Sequence, residues 1–375
     1  MHRSIPVPRS QRSTAATLHP LRRRIARALM RSVSTPGSGE PHAPLPRDGV
    51  FRILVCRVSH SLGNTLLLTP LLRELETVYP GAEVDVVTRS PVARDVFSGF
   101  YNVRDILVLP AWGLRHPLHV LGVLRRMRRT RYDLAIDTDP RSQTSRALIQ
   151  LAHATRTLGF ISTHKRGRLT HPVDAASSVR KIGQRPVFLL RSALGAAAPH
   201  VAYPLPDIRL GAAELADGRD ALARVVASRP ASGKTRGVIA IFANATGHKK
   251  RSREWWTRFL NVLEPGCPDH AFVEILPASG HSLLASRYPA YFSSSVRKLG
   301  AVISSTSLYI SADCGVMHLA CASGAVTLGI FGNTNEDEWA PYGPRNHTID
   351  AAPLTPEAVA EAALAWVNGL APGPV

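Results

Sequence analysis

From residue 51 onward, short apolar runs alternate with longer segments in which apolar residues recur at helical spacing. The run 51–57 has the length of a buried strand, and the pattern after it predicts one helix over Asn64–Val78 that Pro80 and Gly81 end. Further strands are predicted at 83–88, 103–109, 132–136 and 156–160, and further helices at 118–130 and 177–194. Strands that alternate with helices predict a parallel sheet with helices on both faces.

A second alternation of the same kind follows Pro204-Leu205-Pro206, which we interpret as a linker. It predicts strands at 237–242, 271–276, 308–311 and 326–331, and helices at 212–227, 252–263, 314–322 and 355–366. The beginning of the chain is rich in Pro, Ser and Gly, a composition typical of disorder. We therefore predict a disordered basic tail (1–49), an N-terminal domain (50–205) and a C-terminal domain (206–375).

The chain carries a net charge of +19, from 46 basic and 27 acidic residues, and this excess favours anionic partners. Nine arginines and two acidic residues lie in residues 1–49, where Leu21–Arg31 predicts a short basic amphipathic helix. That helix either docks on an anionic membrane surface or is a solvated extension without a defined role. Because the sequence has no aromatic–basic RNA motif, zinc-finger spacing or basic zipper, we expect no nucleic-acid partner.

No apolar run reaches the roughly 18 residues that cross a bilayer. The N-terminus also lacks the continuous apolar segment of a secretory signal. We therefore expect a cytoplasmic protein, and a peripheral position on the inner face of the cytoplasmic membrane stays open. The four cysteines form no Cys-x-x-Cys pair, so we expect reduced, buried thiols and no metal site.

A polar turn near the C-terminus carries the first group of candidate binding residues. The predicted strand 308–311 leads into Asp313, Cys314 and Gly315, and the helix behind them carries His318 in its first turn. Such a turn can hold a phosphate, because free backbone N–H groups and the positive end of the helix dipole point at the anion. Gly315 would let the backbone approach a diphosphate. Asp313 either belongs to this site or caps the helix, and His318 is either a ligand or an ordinary buried histidine.

Two loops that follow predicted strands carry further candidates. The loop after 237–242 contains Asn244, Thr246 and Lys249, whose donor groups suit a phosphate, although a basic solvent loop is the alternative. The second loop follows the first strand of the chain.

That second loop is short, polar and built from small residues. It contains Ser59, His60, Ser61, Gly63 and Asn64, and it opens the next predicted helix. We expect it to face the same cleft as the other two loops, since ligands bind at the carboxyl ends of parallel strands.

These segments resemble glycosyltransferase family 9, the lipopolysaccharide heptosyltransferases. That family carries Asp-x-Gly-x-x-His-Leu-x-Ala or a near variant, then Phe-Gly-x-Thr and Trp-x-Pro-Tyr-Gly, and this chain has them in the same order at 313–322, 331–334 and 339–343. The family's N-terminal motif is Ser-x-Gly-Asp, followed by an apolar run and Pro. This chain has Ser61-Leu62-Gly63-Asn64 and Pro70 there, so the resemblance covers roughly residues 50 to 350 in order.

The resemblance implies a GT-B fold, in which two Rossmann-like α/β domains face each other across a cleft. The N-terminal domain would receive the acceptor and the C-terminal domain the donor. It implies an inverting glycosyltransferase that moves heptose or another sugar from a nucleotide-diphosphate donor such as ADP-heptose to a lipopolysaccharide core or other surface-glycan acceptor, without a cofactor or metal. The predicted donor-binding residues are Asn244, Thr246, Lys249, Asp313, Cys314, Gly315, His318, Gly332 and Thr334, and the predicted acceptor-binding residues are Ser59, Ser61 and Gly63. The family's donor lysine falls on Lys249, with Lys250 as the alternative.

Asn64 stands where the family has an aspartate as the proposed catalytic base. A carboxamide cannot take a proton from an acceptor hydroxyl, so Asn64 would orient that hydroxyl without deprotonating it. His60 in the same loop is one candidate substitute base. Asp139 and Asp137 are others, with helix capping or solvation as their alternative role. A relative that has lost catalysis and only binds, as a scaffold or regulator, also stays open.

Two basic segments lie in the N-terminal half. They are the predicted helix 118–130, extended by Arg131, and the segment 164–168. Clustered arginines suit a phosphorylated acceptor or an anionic leaflet, and a solvated charged face is the alternative.

Overall fold

The computed structural model describes residues 43–175, 179–229 and 235–369, and within them the chain forms two sheets of six strands each. The first sheet contains β1 (Arg52–Arg57), β2 (Glu83–Thr88), β3 (Val103–Val108), β4 (Arg131–Asp137), β5 (His153–Phe160) and β6 (His171–Val173). The second contains β7 (Gly237–Phe242), β8 (His270–Ile275), β9 (Ala290–Tyr291), β10 (Leu308–Ala312), β11 (Thr327–Phe331) and β12 (His347–Asp350).

Both sheets have the same doubly wound topology. Their strand orders are β3-β2-β1-β4-β5-β6 and β12-β11-β10-β7-β8-β9, and all of these neighbours are parallel. In this topology the winding reverses between the first and fourth strands, and ligands bind outside the carboxyl ends of the strands at that point. The switch points are β1/β4 in the first sheet and β7/β10 in the second.

Twelve α-helices accompany the sheets in the described residues. They are α1 (Leu62–Leu66), α2 (Thr69–Val78), α3 (Ala93–Phe97), α4 (Pro117–Arg128), α5 (Gln143–Leu151), α6 (Arg185–Leu194), α7 (Ala212–Ala227), α8 (Arg253–Leu263), α9 (Val296–Ser304), α10 (Gly315–Ala322), α11 (Glu336–Trp339) and α12 (Pro356–Asn368). Within the same residues, no helix is both long and apolar enough to span a bilayer.

The central strands are buried on both faces. Ile53 to Cys56 of β1 have no exposed surface, and every residue of β10 and β11 is buried. This is why these strands appear in the sequence as continuous apolar runs instead of alternating ones. Each fully buried Val, Leu or Ile stabilises the fold by roughly 1.5–3 kcal/mol.

The single helix predicted over Asn64–Val78 is wrong, because the segment forms α1 and α2 with a break between them. Pro70 has no N–H group to donate to the carbonyl of Leu66. The hydroxyl of Thr69 donates to that carbonyl instead, at 2.7 Å, and α2 starts afresh with Pro70 in its first turn.

The helix predicted over 177–194 is too long. Residues 177–178 lie outside the described residues, and α6 begins only at Arg185, with Pro186 in its first turn. The segment before α6 is tied to the second half of the chain: the N–H of Ile182 donates to the carbonyl of Glu338 at 3.1 Å, and the N–H of Gly183 donates to the Tyr342 hydroxyl at 2.5 Å. These contacts, distant in sequence, outcompete the local helix.

The disorder predicted for the tail is wrong for its last residues. Leu45 is buried, and its N–H donates to the carbonyl of Ala193 at 2.8 Å. The carbonyl of Pro46 accepts from the Tyr79 hydroxyl at 3.0 Å. Residues 1–42, including the helix predicted at Leu21–Arg31, lie outside the described residues.

A prediction about packing follows from Gly218 of α7, which lies against α9. A Cβ atom at Gly218 would lie 2.5 Å from the backbone carbon and oxygen of Ala301, so Gly218→Ala should destabilise the fold by about 1–3 kcal/mol. Gly122 of α4 has no atom within 4 Å of such a Cβ, so Gly122→Ala should stabilise by up to ~1 kcal/mol through helix propensity. Urea denaturation midpoints test both variants, and equal midpoints would contradict the packing of α7 on α9.

Candidate active site

Two glycines bring the two switch points together. The helices that follow β1 and β10, α1 and α10, pack against each other. A Cβ atom at Gly63 would lie 2.9 Å from Cδ2 of His318 and 3.6 Å from Cα of Gly315. A Cβ at Gly315 would lie 3.2 Å from Cβ of Leu62. Gly315 therefore faces the other lobe, and a side chain at this position would crowd Leu62 and the backbone of Gly63.

Asn64 follows Gly63 at this contact, and three side chains form a cage around its amide. Its Oδ1 accepts from Arg57 Nη2 at 2.8 Å, and its Nδ2 donates to Ser59 Oγ at 3.0 Å and Ser61 Oγ at 2.8 Å. A guanidinium only donates, so Oδ1 must face Arg57. Both amide hydrogens are then used, and one lone pair of Oδ1 is left to accept from an acceptor hydroxyl.

Arg57 is a functional candidate that the sequence analysis did not identify. Its Nη1 donates to the carbonyl of Thr138 at 3.2 Å, which spans the β1/β4 switch point. Burial lowers the pKa of Arg57, while the nearby Asp139 and Asp137 raise it. An aspartate at position 64 would form an ion pair with this guanidinium, whereas the Asn64 amide leaves the charge of Arg57 without a counterion from residue 64.

The structure separates the three candidate bases. His60 is exposed in the loop before α1. Asp139 uses Oδ1 to accept from the N–H groups of Arg141 and Ser142, at 2.8 and 2.9 Å, and so holds the turn before α5, whereas Ser142 is the N-cap of that helix. Asp137 has no exposed surface and accepts from Arg146 Nε at 2.9 Å, so it is neither a helix cap nor a solvated base.

Lys165, in the basic segment 164–168, is buried, so it fits neither of the two roles predicted for that segment. Its ammonium is fully buried, forms an ion pair with Asp137 and donates to the carbonyl of Asp139. A buried charge needs such partners, because desolvation is costly. Lys165 therefore fastens its loop to the end of β4 and does not reach a phosphate or a leaflet.

The second lobe, which contains β7 to β12, is called the rear lobe below. In it, three predicted residues and one tryptophan that was not predicted form a cluster. Lys249 Nζ lies 2.6 Å from Oδ2 of Asp313, and it also lies 5.7 Å from the centre of the Trp339 ring. The imidazole of His318 lies 6.1 Å from the same ring, centre to centre. Lys250, the alternative to Lys249, is exposed.

His318 is only 3% exposed, and its Nδ1 has no hydrogen-bond partner among the described residues. Burial lowers its pKa to about 4, with Asp313 raising it and Lys249 lowering it. The imidazole is therefore neutral at physiological pH. A neutral ring with an unpaired buried nitrogen can bind a hydroxyl group.

The turn before α10 excludes one of the two roles predicted for Asp313. Cys314 occupies the N-cap position and makes no side-chain cap hydrogen bond, and Asp313 pairs with Lys249, so the helix-cap alternative for Asp313 is wrong. Burial raises the pKa of the Cys314 thiol to about 11, so this thiol is not a nucleophile near neutral pH.

Arg251 is a second residue that the sequence analysis missed, because only the fold brings it to the turn 331–334. Its Nη2 donates to the carbonyl of Phe331 at 2.8 Å, and a Cβ at Gly332 would lie 2.5 Å from the same nitrogen. Asn333 Nδ2 donates to the carbonyl of His248 at 3.4 Å, which joins this turn to the loop that carries Lys249. Gly332 thus makes room for a guanidinium.

The other predicted donor residues lie at the edges of this cluster. Asn244 is half-buried, and its Nδ2 has no protein partner among the described residues. Thr246 is exposed and Thr334 half-buried. In the part of the chain that the structure describes, no group of three or more His, Cys, Asp or Glu side chains is arranged to hold a metal ion.

A cavity of about 470 Å³ lies between the lobes on the side of α6 and α11. Two ion pairs cross it, Arg180 to Asp337 at 2.6 Å and Arg185 to Glu338 at 2.7 Å. Phe160, at the carboxyl end of β5, forms part of its wall. The cavity therefore joins the carboxyl edge of the first sheet to the second lobe.

Two doubly wound sheets facing one cleft define the GT-B class of fold, and solved structures support this. A glycosyltransferase family 9 protein from Veillonella parvula superposes with a TM-score of 0.71 at 17% identity, over 87% of this chain and 99% of that one. Escherichia coli ADP-heptose lipopolysaccharide heptosyltransferase II gives 0.65 at 16% identity, over 85% and 99%. Escherichia coli heptosyltransferase WaaC with ADP gives 0.64 at 17% identity, over 84% and 100%.

The sequence of the rear lobe carries the family signal. Residues 294–364 match the sequence model of glycosyltransferase family 9 (heptosyltransferase), and this segment contains Asp313, His318 and Trp339. The resemblance to that family is thereby confirmed. No sequence among the curated proteins matches the chain.

The charged neighbours of His318 predict the direction in which two substitutions shift its pKa. Its ring protons should titrate with a midpoint near pH 4 in nuclear magnetic resonance spectra, with His318→Gln identifying the signal. Lys249→Met removes a positive neighbour and should raise the midpoint, whereas Asp313→Asn removes a negative one and should lower it. Shifts in the opposite directions would contradict the cluster.

Proposed function

We propose that the protein is an inverting glycosyltransferase that moves heptose from a nucleotide-diphosphate donor, ADP-heptose, to a lipopolysaccharide core or another surface-glycan acceptor. The observation that carries the proposal is the cluster of Lys249, Asp313, His318 and Trp339 at the switch point of the rear sheet. All of its members except Lys249 lie in the segment that matches the family. Escherichia coli WaaC, whose fold is similar, is known in complexes with ADP and with ADP-2-deoxy-2-fluoro heptose.

Lys249 and Arg251 supply the positive charge that the leaving diphosphate needs. The Lys249 ammonium forms an ion pair with Asp313. A diphosphate that enters beside them offers a second anion, and the ammonium bridges the two. Arg251 binds a backbone carbonyl, so its charge adds to that of Lys249. Fixed cations stabilise the departing nucleotide more strongly than water does, because they need no reorganisation.

His318 and Trp339 shape the part of the site next to the diphosphate. The neutral imidazole would bind a sugar or ribose hydroxyl through Nδ1, which satisfies an otherwise unpaired buried nitrogen. The Trp339 ring would form an apolar wall beside it.

On the acceptor side, the free lone pair of Asn64 Oδ1 would accept from the attacking hydroxyl and aim its oxygen at the anomeric carbon. The new C–O bond forms as the bond to the diphosphate breaks from the opposite face. The hydroxyl proton goes to a separate base, for which His60 is our candidate because it is exposed in the same loop. Positioning of this kind lowers the barrier without a base at residue 64.

The donor site is tested by calorimetry with ADP-heptose and other sugar nucleotides on wild type and two lysine variants. Lys249→Met should weaken binding of the preferred donor roughly tenfold or more, because a charge-assisted hydrogen bond contributes about 1.5–3 kcal/mol. Lys250→Met is the matched control, since Lys250 is exposed, and should stay close to wild type. Equal affinities in Lys249→Met and wild type would contradict the role of Lys249.

The mechanism is tested with Asn64→Asp. The carboxylate fits the same cage, because the hydroxyls of Ser59 and Ser61 can turn to donate, and it restores a base beside the acceptor. Transfer from labelled ADP-heptose to an acceptor extract should then rise about 10²-fold above wild type.

Asn64→Ala, which removes the positioning amide, should fall below wild type in the same assay. Donor binding without transfer in wild type and in Asn64→Asp would contradict the enzymatic proposal. That result would favour a sugar-nucleotide-binding relative that serves as a scaffold or regulator.

A further inference from the structure

An apolar, exposed tip lies on the N-terminal lobe at the start of α4. Trp112 is 63% exposed, Leu118 83% and Leu121 40%, and all three lie in the turn before α4 or in its first half. Arg115 stacks on the Trp112 ring at 5.3 Å. Large apolar side chains that cluster in solvent mark an interaction surface.

The same helix face becomes basic toward its C-terminal end. Arg125, Arg128 and Arg129 follow Leu118 and Leu121 at helical spacing and are exposed. With Leu121, Leu124 and Leu151 they line an open groove of about 400 Å³. Among the residues that the structure describes, no carboxylate forms an ion pair with these three arginines, although Arg128 contacts His153.

We propose that this surface, the docking face formed by Trp112, Leu118, Leu121, Arg125, Arg128 and Arg129, binds an anionic lipid bilayer. The sequence from 110 to 131 contains no acidic residue, so the whole segment is complementary to anionic headgroups. Trp and Leu insert at the headgroup level, while arginines remain among the phosphates. A soluble phosphate would use the arginines alone and leave the apolar tip without a function.

The topology sets how the docking face lies on the N-terminal lobe. The turn that carries Trp112 follows the carboxyl end of β3, the edge strand of the first sheet, and the loop of Ser59 to Asn64 follows the carboxyl end of β1. Because all six strands are parallel, the apolar tip lies along the same edge of the sheet as that loop. Arg128 contacts His153, the first residue of β5, so the basic end of the docking face lies toward the opposite edge. The docking face therefore runs along α4 from the cleft edge of the sheet to the other edge.

Flotation of the full-length protein with vesicles tests the proposal without donor or turnover, so its outcome is independent of the proposed function. Vesicles of phosphatidylcholine alone are compared with vesicles that also contain phosphatidylglycerol. Leu118→Gln/Leu121→Gln removes the apolar tip, and Arg125→Gln/Arg128→Gln/Arg129→Gln removes the charge. Each should lower partitioning onto the anionic vesicles roughly tenfold or more. The tail of residues 1–42 is present in every protein and cannot cause the difference.

The matched control is Arg219→Gln/Arg224→Gln/Lys298→Gln, which removes the same charge from exposed positions of α7 and α9. It should partition like wild type, and thermal melts should coincide because all substituted side chains are exposed. A loss in the control equal to that of the arginine variant would show an effect of net charge and overturn the proposal. Wild-type partitioning of the Leu118/Leu121 variant would overturn it too, since the arginines would then bind phosphate without membrane insertion.

Discussion

The contact between Gly63 and the N-terminal turn of α10 is the constraint on which the site depends. Any side chain at Gly63 would lie within 2.9 Å of the His318 ring, and any at Gly315 within 3.3 Å of the backbone nitrogen of Gly63. At this separation, the loop that carries Gly63 and Asn64 lies against the turn that carries Gly315 and His318. The polar groups of either lobe alone would face an open cleft full of water, where hydrogen bonds and charges are worth little. Gly63 and Gly315 therefore allow the close approach of the two lobes on which the proposed chemistry depends.

Charge is distributed differently over the two lobes. In the rear lobe, the cations beside the strand-end turns have partners: Lys249 pairs with Asp313, and Arg251 binds the carbonyl of Phe331. Such groups are held in place before a ligand arrives, which reduces the entropy lost on binding. At the front, the buried pair of Lys165 and Asp137 is structural, whereas the arginines of α4 lie in solvent. A compact anionic donor would thus meet cations that are already held in place in the rear lobe. An extended anionic surface would meet the solvent-exposed arginines of α4.

The sequence predicted the features that depend on neighbouring residues in the chain, and it missed those that depend on contacts between distant segments. Central strands such as β1 and β10 were predicted within a residue or two, because burial on both faces makes them continuous apolar runs. The short edge strands β6 and β9 were missed, since they exist only by pairing with β5 and β8. Lys249 and Asp313 were assigned to one predicted site because the loops that carry them follow strands of the same parallel sheet, but their ion pair was not foreseen. Arg251 and Arg57 were missed as site residues, because only the folded chain shows which loop a long side chain reaches.

In the proposed mechanism, the amide at position 64 changes the chemistry less than its loss of basicity suggests. An aspartate in the same cage would accept from Arg57 and from the hydroxyls of Ser59 and Ser61. The amide keeps all three contacts, because its Oδ1 accepts from Arg57 and its Nδ2 donates to both hydroxyls. What the amide cannot supply is general-base catalysis by residue 64 itself, worth about 10²–10⁴-fold in rate. Alignment of the acceptor hydroxyl and stabilisation of the leaving diphosphate would remain, and together they supply a larger share of the barrier reduction in transfer reactions. The proposed enzyme would therefore be a slower transferase, and Asn64 by itself does not make the protein a mere binder.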